Sequence, residues 1–363
     1  MLTMHPTLLI GPSDWESDVM PRSEFLARIE ALWQNHPQAD RAIVYGNSAH
    51  HAELAYFTNM VPKLDAAVAL LSRVHARRLL VGGGANMLGA ARPLTWIENV
   101  SPLKDLGDAI RADPAAGQTL LIGADYMPMG FGRAVVEAIG PGKARDATAQ
   151  VWEQMRRKSP REIEAIRCAS AAKAAATAAM REASARGANV STLLGVGEEA
   201  AYAEGAQDVR TLFSLDKGKT YRPFLASIEA VVDPLQVYVA VRRFNYWVDE
   251  FALLSRTDDD DLVLEHAIGA RDTAMRLIRA GTPVADIATR IEALILPYRS
   301  HPMTARALAQ RMGLALDERP HTDVGPTFED GEVYSLRIGV TDGARHHFAG
   351  AMMCVRGGCS ELL

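Results

Sequence analysis

Over the first 150 residues the apolar positions switch between two periods. Arg22–Gln34 places Phe25, Leu26, Ile29 and Leu32 at helical spacing. Ala42–Tyr45, Ala66–Leu71, Arg78–Val81 and Thr119–Ile122 are short apolar runs that predict strands. His50–Tyr56 predicts a further helix. Short strands alternating with helices predict an α/β unit with a mostly parallel or mixed sheet. Gly82-Gly-Gly84 follows one strand but fits neither GxGxxG nor GxxxxGK[ST]. It reads as a turn rather than a phosphate loop.

The pattern changes at Lys143–Lys158, which is polar and charged with Trp152 as a lone anchor. Ser159-Pro-Arg-Glu162 then has the spacing of a capping box with proline at the first helical position. An Ala-rich helix follows through Ile163, Ile166, Ala169, Ala172, Ala176 and Met180, and stops near Gly187. These features predict an N-terminal domain over 1–151 and a second domain over 152–363. Within the second, Met180–Leu194 and Met275–Ile287 each read as a helix, a Gly stop and a new helix, followed by strand-like residues. That is the pattern of a duplicated helix and β-hairpin unit, an α+β arrangement. The acidic run Asp258–Asp261 reads as a solvated cap on a helix N-terminus.

The organising stretch is Val237–Thr257. Val237, Val239 and Val241 alternate with Tyr238, Ala240 and Arg242, the period of a strand with one buried face. A tight connection at Arg242–Asn245 leads to a second run through Tyr246, Trp247, Val248, Phe251, Leu253 and Leu254. Asp249 and Glu250 sit inside that run. An acid there needs compensation, either from water at an edge or from a polar pocket.

Composition bounds the function. The chain has 363 residues, 48% of them hydrophobic and 23% charged, with a net charge of −5. That balance gives no reason to expect nucleic acid binding. No polybasic run, signal-peptide pattern or membrane-length apolar window is present. Cys168, Cys354 and Cys359 have no zinc or CxxC spacing, so a reduced, cytoplasmic setting is expected.

Several stretches together resemble the pita-bread family of creatinase, prolidase, aminopeptidase P and methionine aminopeptidase. Arg157–Arg167 resembles the helix that opens its catalytic domain. Asn245–Thr257 resembles its Gly-Tyr-x-x-Asp strand, and Met312–Pro320 its Gly-His-Gly segment. Gly331–Leu336 and Cys354–Leu363 resemble its closing strands, and Trp15, Arg22 and His50–Pro62 the creatinase-type N-terminal domain. The resemblance implies that fold, a homodimer, and a cleft that in the peptidases holds two divalent metals on two Asp, one His and two Glu. At those positions only Asp249 survives here. The others fall on Tyr238, Gln310, Arg337 and Gly350. A set with one carboxylate and a permanent cation cannot hold two metals, so no metal and no cofactor is expected. Creatinase, which cleaves a C–N bond without metal, places a catalytic His where Tyr221 or Arg222 falls in this chain.

The resemblance therefore points to a creatinase-like, metal-independent hydrolase or lyase acting on a small anionic, nitrogen-containing molecule. In it Asp249 orients the substrate or acts as base, with Glu250 beside it. His347 or His346, in a Gly-bounded connection, transfers protons. Arg337 binds the anion, with Tyr238, Gln310, Arg242, His321 and Tyr221 as further binding candidates. The alternatives are a catalytically dead homologue that binds a peptide or protein, and an Xaa-Pro-type metallopeptidase. His50-His51 reads as helix packing, and Arg243 as a surface residue.

Overall fold

The computed structural model describes residues 14–62, 65–84, 87–104, 106–223, 228–256, 261–301, 304, 308–318 and 327–363. The chain divides into two compact units, Met1–Met155 and Arg156–Leu363. Among the described residues no helix is long and apolar enough to cross a membrane.

The first unit runs α1 (Arg22–Asn35), β1 (Ala39–Gly46), α2 (Ala52–Thr58), β2 (Ala67–Ser72), β3 (Arg78–Val81), α3 (Leu88–Ala91), β4 (Asn99–Pro102), α4 (Leu106–Arg111), β5 (Gln118–Ile122), α5 (Met129–Ile139), β6 (Ala144–Asp146) and α6 (Thr148–Arg156). Its strands form one sheet in the order β4-β3-β2-β1-β5-β6. β1 pairs antiparallel with β2 and parallel with β5, so the sheet is mixed. Every residue of β2 is buried. A strand covered on both faces must be apolar throughout, which is why these segments read as unbroken runs. Leu106, Ile110, Val135 and Ile139 of α4 and α5 cover one face over Ile43, Val68, Leu70 and Leu80. Gly83 and Gly84, after β3, have φ of +83° and +82°, as a glycine turn requires. Lys143–Lys158, the polar and charged stretch, contains β6 and most of it is α6. Trp152 is buried there and donates to Glu53 at 2.8 Å.

The second unit opens with α7 (Pro160–Ala185), and both hydrogen bonds of the Ser159–Glu162 capping box form. Then come α8 (Val190–Ala203), β7 (Asp208–Ser214), β8 (Arg222–Pro223), β9 (Leu235–Arg243), β10 (Tyr246–Leu254), α9 (Leu262–Leu277), α10 (Val284–Leu294), β11 (Arg299–Ser300), β12 (Ala309–Arg311), β13 (Val333–Thr341), β14 (His346–Arg356) and β15 (Cys359–Leu362). One sheet has the order β10-β9-β7-β8, the other β11-β13-β14-β15 with β12 also on β13. Small residues let α7 and α8 touch: a Cβ on Gly197 would lie 2.0 Å from Met180 Cε. α9 and α10 bury Val263, Ala267, Ile287 and Ile291 against Ile338 and Val340 of β13 and Ala349 of β14.

The expected hairpin is β9–β10. Arg243 pairs with Tyr246, so the connection is the two residues Phe244 and Asn245. Their φ values, 51° and 69°, are left-handed, the geometry of the turn that matches strand twist. Asp261 is the cap of α9, its Oδ1 accepting from Val263 and Leu264 N–H.

Candidate functional site

Asp249 lies on β10 facing Tyr238 of β9. It is 4% exposed, and three side chains take up its oxygens. Ser335 Oγ donates to Oδ1 at 2.6 Å. Tyr238 Oη donates to Oδ2 at 3.1 Å, and Arg337 reaches the same oxygen at 2.5 Å. Arg337 Nε also donates to Ser335 at 3.1 Å, and its Nη1 donates to Gln310 Oε1. Gln310 is oriented by its own bond to the Leu316 carbonyl at 3.1 Å. Burial works against the Arg337 charge, but Asp249 and Tyr238 outweigh it, and its pKa is raised. Burial, reinforced by the Asp249 charge, also raises the Tyr238 pKa, so this hydroxyl stays a donor.

The strands set this geometry by alternation. Ser335 and Arg337 are two apart on β13 and share a face, and Arg337 pairs across the ladder with Gly350 of β14. A Cβ on Gly350 would make only ordinary contacts, 3.5 Å from Leu336 O and 3.7 Å from Phe251 N. Along β13, Val333–Val340 is buried except at Arg337. Phe251, Arg337 and Gly350 are all half-buried. Here the packed sheet opens.

Beside this polar end stands an aromatic wall. Phe251 stacks on Phe348 with centroids 4.7 Å apart, and Tyr238 tilts onto Phe251 at 4.9 Å. The Tyr221 ring meets both phenylalanines edge-on at 5.5 and 5.8 Å. His301 lies edge-on to Phe348 at 4.7 Å and to His346 at 5.3 Å. Burial, helped by His346, lowers the His301 pKa, so its imidazole is neutral near pH 7.

Four of the positions singled out from sequence therefore meet: Tyr238, Asp249, Gln310 and Arg337. Tyr221 stands on the adjoining wall, and His346 shares the Phe348 face of β14. The remaining candidates are placed elsewhere. Glu250 faces the opposite side of β10 from Asp249, 3.8 Å from Lys173 and 3.6 Å from Arg181 of α7. His347 alternates away from Phe348 and Gly350, and its Nε2 lies 2.9 Å from Asp261. The expectation that Glu250 and His347 act beside Asp249 is thus corrected by strand alternation. Arg242 is held near the turn, 3.9 Å from Asp208 and over the Trp247 ring at 5.4 Å. His321 and Asp258–Asp260 lie outside the described residues. His50 stacks on Tyr126 at 3.6 Å in the first unit, and His51 is buried at the start of α2.

Sequence reasoning missed Ser335, Phe348 and His301. Ser335 was findable, since it sits one strand period before Arg337. His301 carried no local signal.

Among solved structures, a variant of Escherichia coli aminopeptidase P in complex with substrate aligns at a TM-score of 0.76, covering 94% of each chain at 14% identity. The X-Pro aminopeptidase of Thermotoga maritima covers 89% of this chain and 95% of its own, at a TM-score of 0.72 and 16% identity. The prolidase of Pyrococcus horikoshii gives 0.72 at 14% identity, with 93% and 97% covered. The fold is the pita-bread fold. Neither a family model nor a curated protein sequence matches the chain.

The two-metal set implied by resemblance to the pita-bread peptidases does not fit these residues. Among the described residues Asp249 is the carboxylate hydrogen-bonded within the cluster, and its ligand directions go to a guanidinium and two hydroxyls. Among the described residues no three His, Cys, Asp or Glu side chains gather as a metal-binding group. A guanidinium in hydrogen-bond contact with that carboxylate repels a further cation at the same place.

Proposed function

We propose that the pita-bread cleft of this chain binds a small anionic molecule without metal. The observation that carries the reading is the state of Arg337. Its guanidinium has five N–H groups, and among the described residues its bonds go to Ser335, Gln310 and Asp249. Two N–H groups are left without a partner among the described residues, at the half-buried position of Val333–Val340 on β13. A carboxylate there would complete a charge-assisted pair, and an apolar or flat body would lie on the rings. Asp249, with both oxygens accepting, orients Arg337 rather than serving as a free base.

A second reading, a creatinase-like hydrolase or lyase acting on a nitrogen-containing anion, is favoured by His301. That ring is kept neutral by burial and touches His346 and Phe348, so it has the protonation state a proton carrier needs near pH 7. We further take the two successive helix-pair and strand sets of the second unit as copies of one duplicated element, and expect a homodimer in a reduced, cytoplasmic setting.

The test is a thermal-shift screen of small carboxylates and guanidino or amino acids on the full chain, followed by calorimetry on hits. Metal analysis and Xaa-Pro peptide assays with manganese or cobalt run alongside. The reading expects hits that Arg337→Ala loses by ten-fold or more, with no metal-dependent cleavage. Bound stoichiometric metal, or metal-stimulated peptide cleavage, would overturn it.

A further inference from the structure

From Tyr221 in the aromatic wall, four polar side chains make a continuous series of close contacts. Asp261 caps α9 through Oδ1, and its Oδ2 lies 2.9 Å from His347 Nε2 on β14. His347 Nδ1 is 3.3 Å from Gln236 Nε2 on β9. Gln236 Oε1 accepts from Tyr221 Oη at 2.9 Å. The His347 and Asp261 side chains are 4% and 17% exposed. Nε2 is the ring nitrogen that faces a carboxylate, close to it though off the line of a well-formed hydrogen bond, so the neutral ring keeps its proton there rather than on Nδ1. Nδ1 is then an acceptor, which explains why the amide nitrogen of Gln236 faces it and its oxygen is left for Tyr221.

We infer that this relay ties the direction of the Tyr221 hydroxyl to the charge of His347. When the ring takes a second proton from solvent, Nδ1 becomes a donor and repels the Gln236 NH2 group. A half-turn of the amide relieves the clash by bringing Oε1 to Nδ1. The NH2 group then faces Tyr221, whose oxygen must accept, and the phenol proton swings toward the aromatic wall. The flipped amide has the same outline, so the switch needs no repacking. That matters because the site is tight: a Cβ on Gly218 would lie 2.5 Å from Gln236 Oε1 and 2.0 Å from the His346 carbonyl.

The groups facing His347 set where this happens. Burial lowers its pKa first of all, and Asp261 opposes that. Arg345, 3.4 Å from Asp261, lowers it further, and Asp342, paired with Arg345, partly offsets that. Gln236 is the neutral neighbour from β9, and Val340 the apolar partner from β13.

The experiment is NMR on the full chain, labelled with 15N in histidine and 13C at tyrosine Cζ, titrated from pH 8 downward. Tyr221→Phe assigns the Tyr221 signal. The relay expects His347 in its Nε2–H tautomer at pH 8, and a Tyr221 Cζ step with the same midpoint as the His347 titration. Gln236→Leu should leave His347 titrating while Tyr221 stays flat. An Nδ1–H tautomer at pH 8, or a Tyr221 signal unmoved through the His347 step in the unaltered chain, overturns the proposal. These wild-type readouts decide the matter even where a variant does not fold, and neither needs a ligand.

Discussion

Replacing Arg337 by Ala probes the cluster most directly. The Asp249 and Arg337 side chains are 3% and 12% exposed and 2.5 Å apart. Stranding one partner of a buried ion pair costs roughly 3–5 kcal/mol. Ser335 and Tyr238 would still donate to the orphaned carboxylate, each offsetting about 1 kcal/mol of that. The expected loss of stability is therefore about 1–3 kcal/mol near pH 7. It should shrink on acidification, because a protonated carboxyl no longer needs the cation. Urea unfolding of the full chain, read as a midpoint shift at constant slope, measures it. Asp249→Leu combined with Arg337→Met removes both charges and should come within about 1 kcal/mol of the unaltered chain. A loss under about 0.5 kcal/mol for the single variant, or a double variant as weak as the sum of its parts, would mean that the pair is not coupled and the reasoning is wrong.

Glu318→Ala should be at least as costly, about 3–5 kcal/mol, because it takes the carboxylate 2.6 Å from the Lys158 ammonium in a pair whose side chains are 1% and 3% exposed. Urea unfolding checks it, and Lys158→Met with Glu318→Leu should recover most of the loss. Phe244→Gly should stabilise by roughly 0.5–1 kcal/mol, since an aromatic residue is held at φ 51° where glycine is unstrained; a destabilised variant would show that the ring contributes more through packing than the backbone loses. Burial lowers the pKa of both His301 and His347 below the usual 6.5. Below that value the unfolded chain takes up protons that the native chain refuses, so stability falls as pH drops from about 6.5 toward the native pKa values. A pH series of urea midpoints should show this slope, flattened when both are replaced by Gln.

How much of this was readable in advance follows from the range of each physical cause. The β9–β10 hairpin was legible because its determinants are local: alternating valines, an aromatic run and a two-residue turn. The capping box was legible for the same reason, four residues carrying both halves of one motif. The convergence of Tyr238, Asp249, Gln310 and Arg337 was reached by position along a resemblance, since nothing in an isolated Gln or Arg announces a shared oxygen. The faces failed where two adjacent candidates were treated as one. Asp249 and Glu250, like His346 and His347, are neighbours in a strand, and the pleat sends one of each pair to the cleft and the other beneath it. Strand period alone could have separated them. Deciding which member faces inward needs the partner strand, and Ser335 and Phe348 supply that only once β13 and β14 are paired. The Asp261–His347 contact lies further out of reach, because it joins a helix cap to a strand 86 residues away along the chain, 347 less 261. Read alone, the acidic run was a solvated cap, and half of that stands: one oxygen of Asp261 caps α9, while the other lies against the ring of the buried His347.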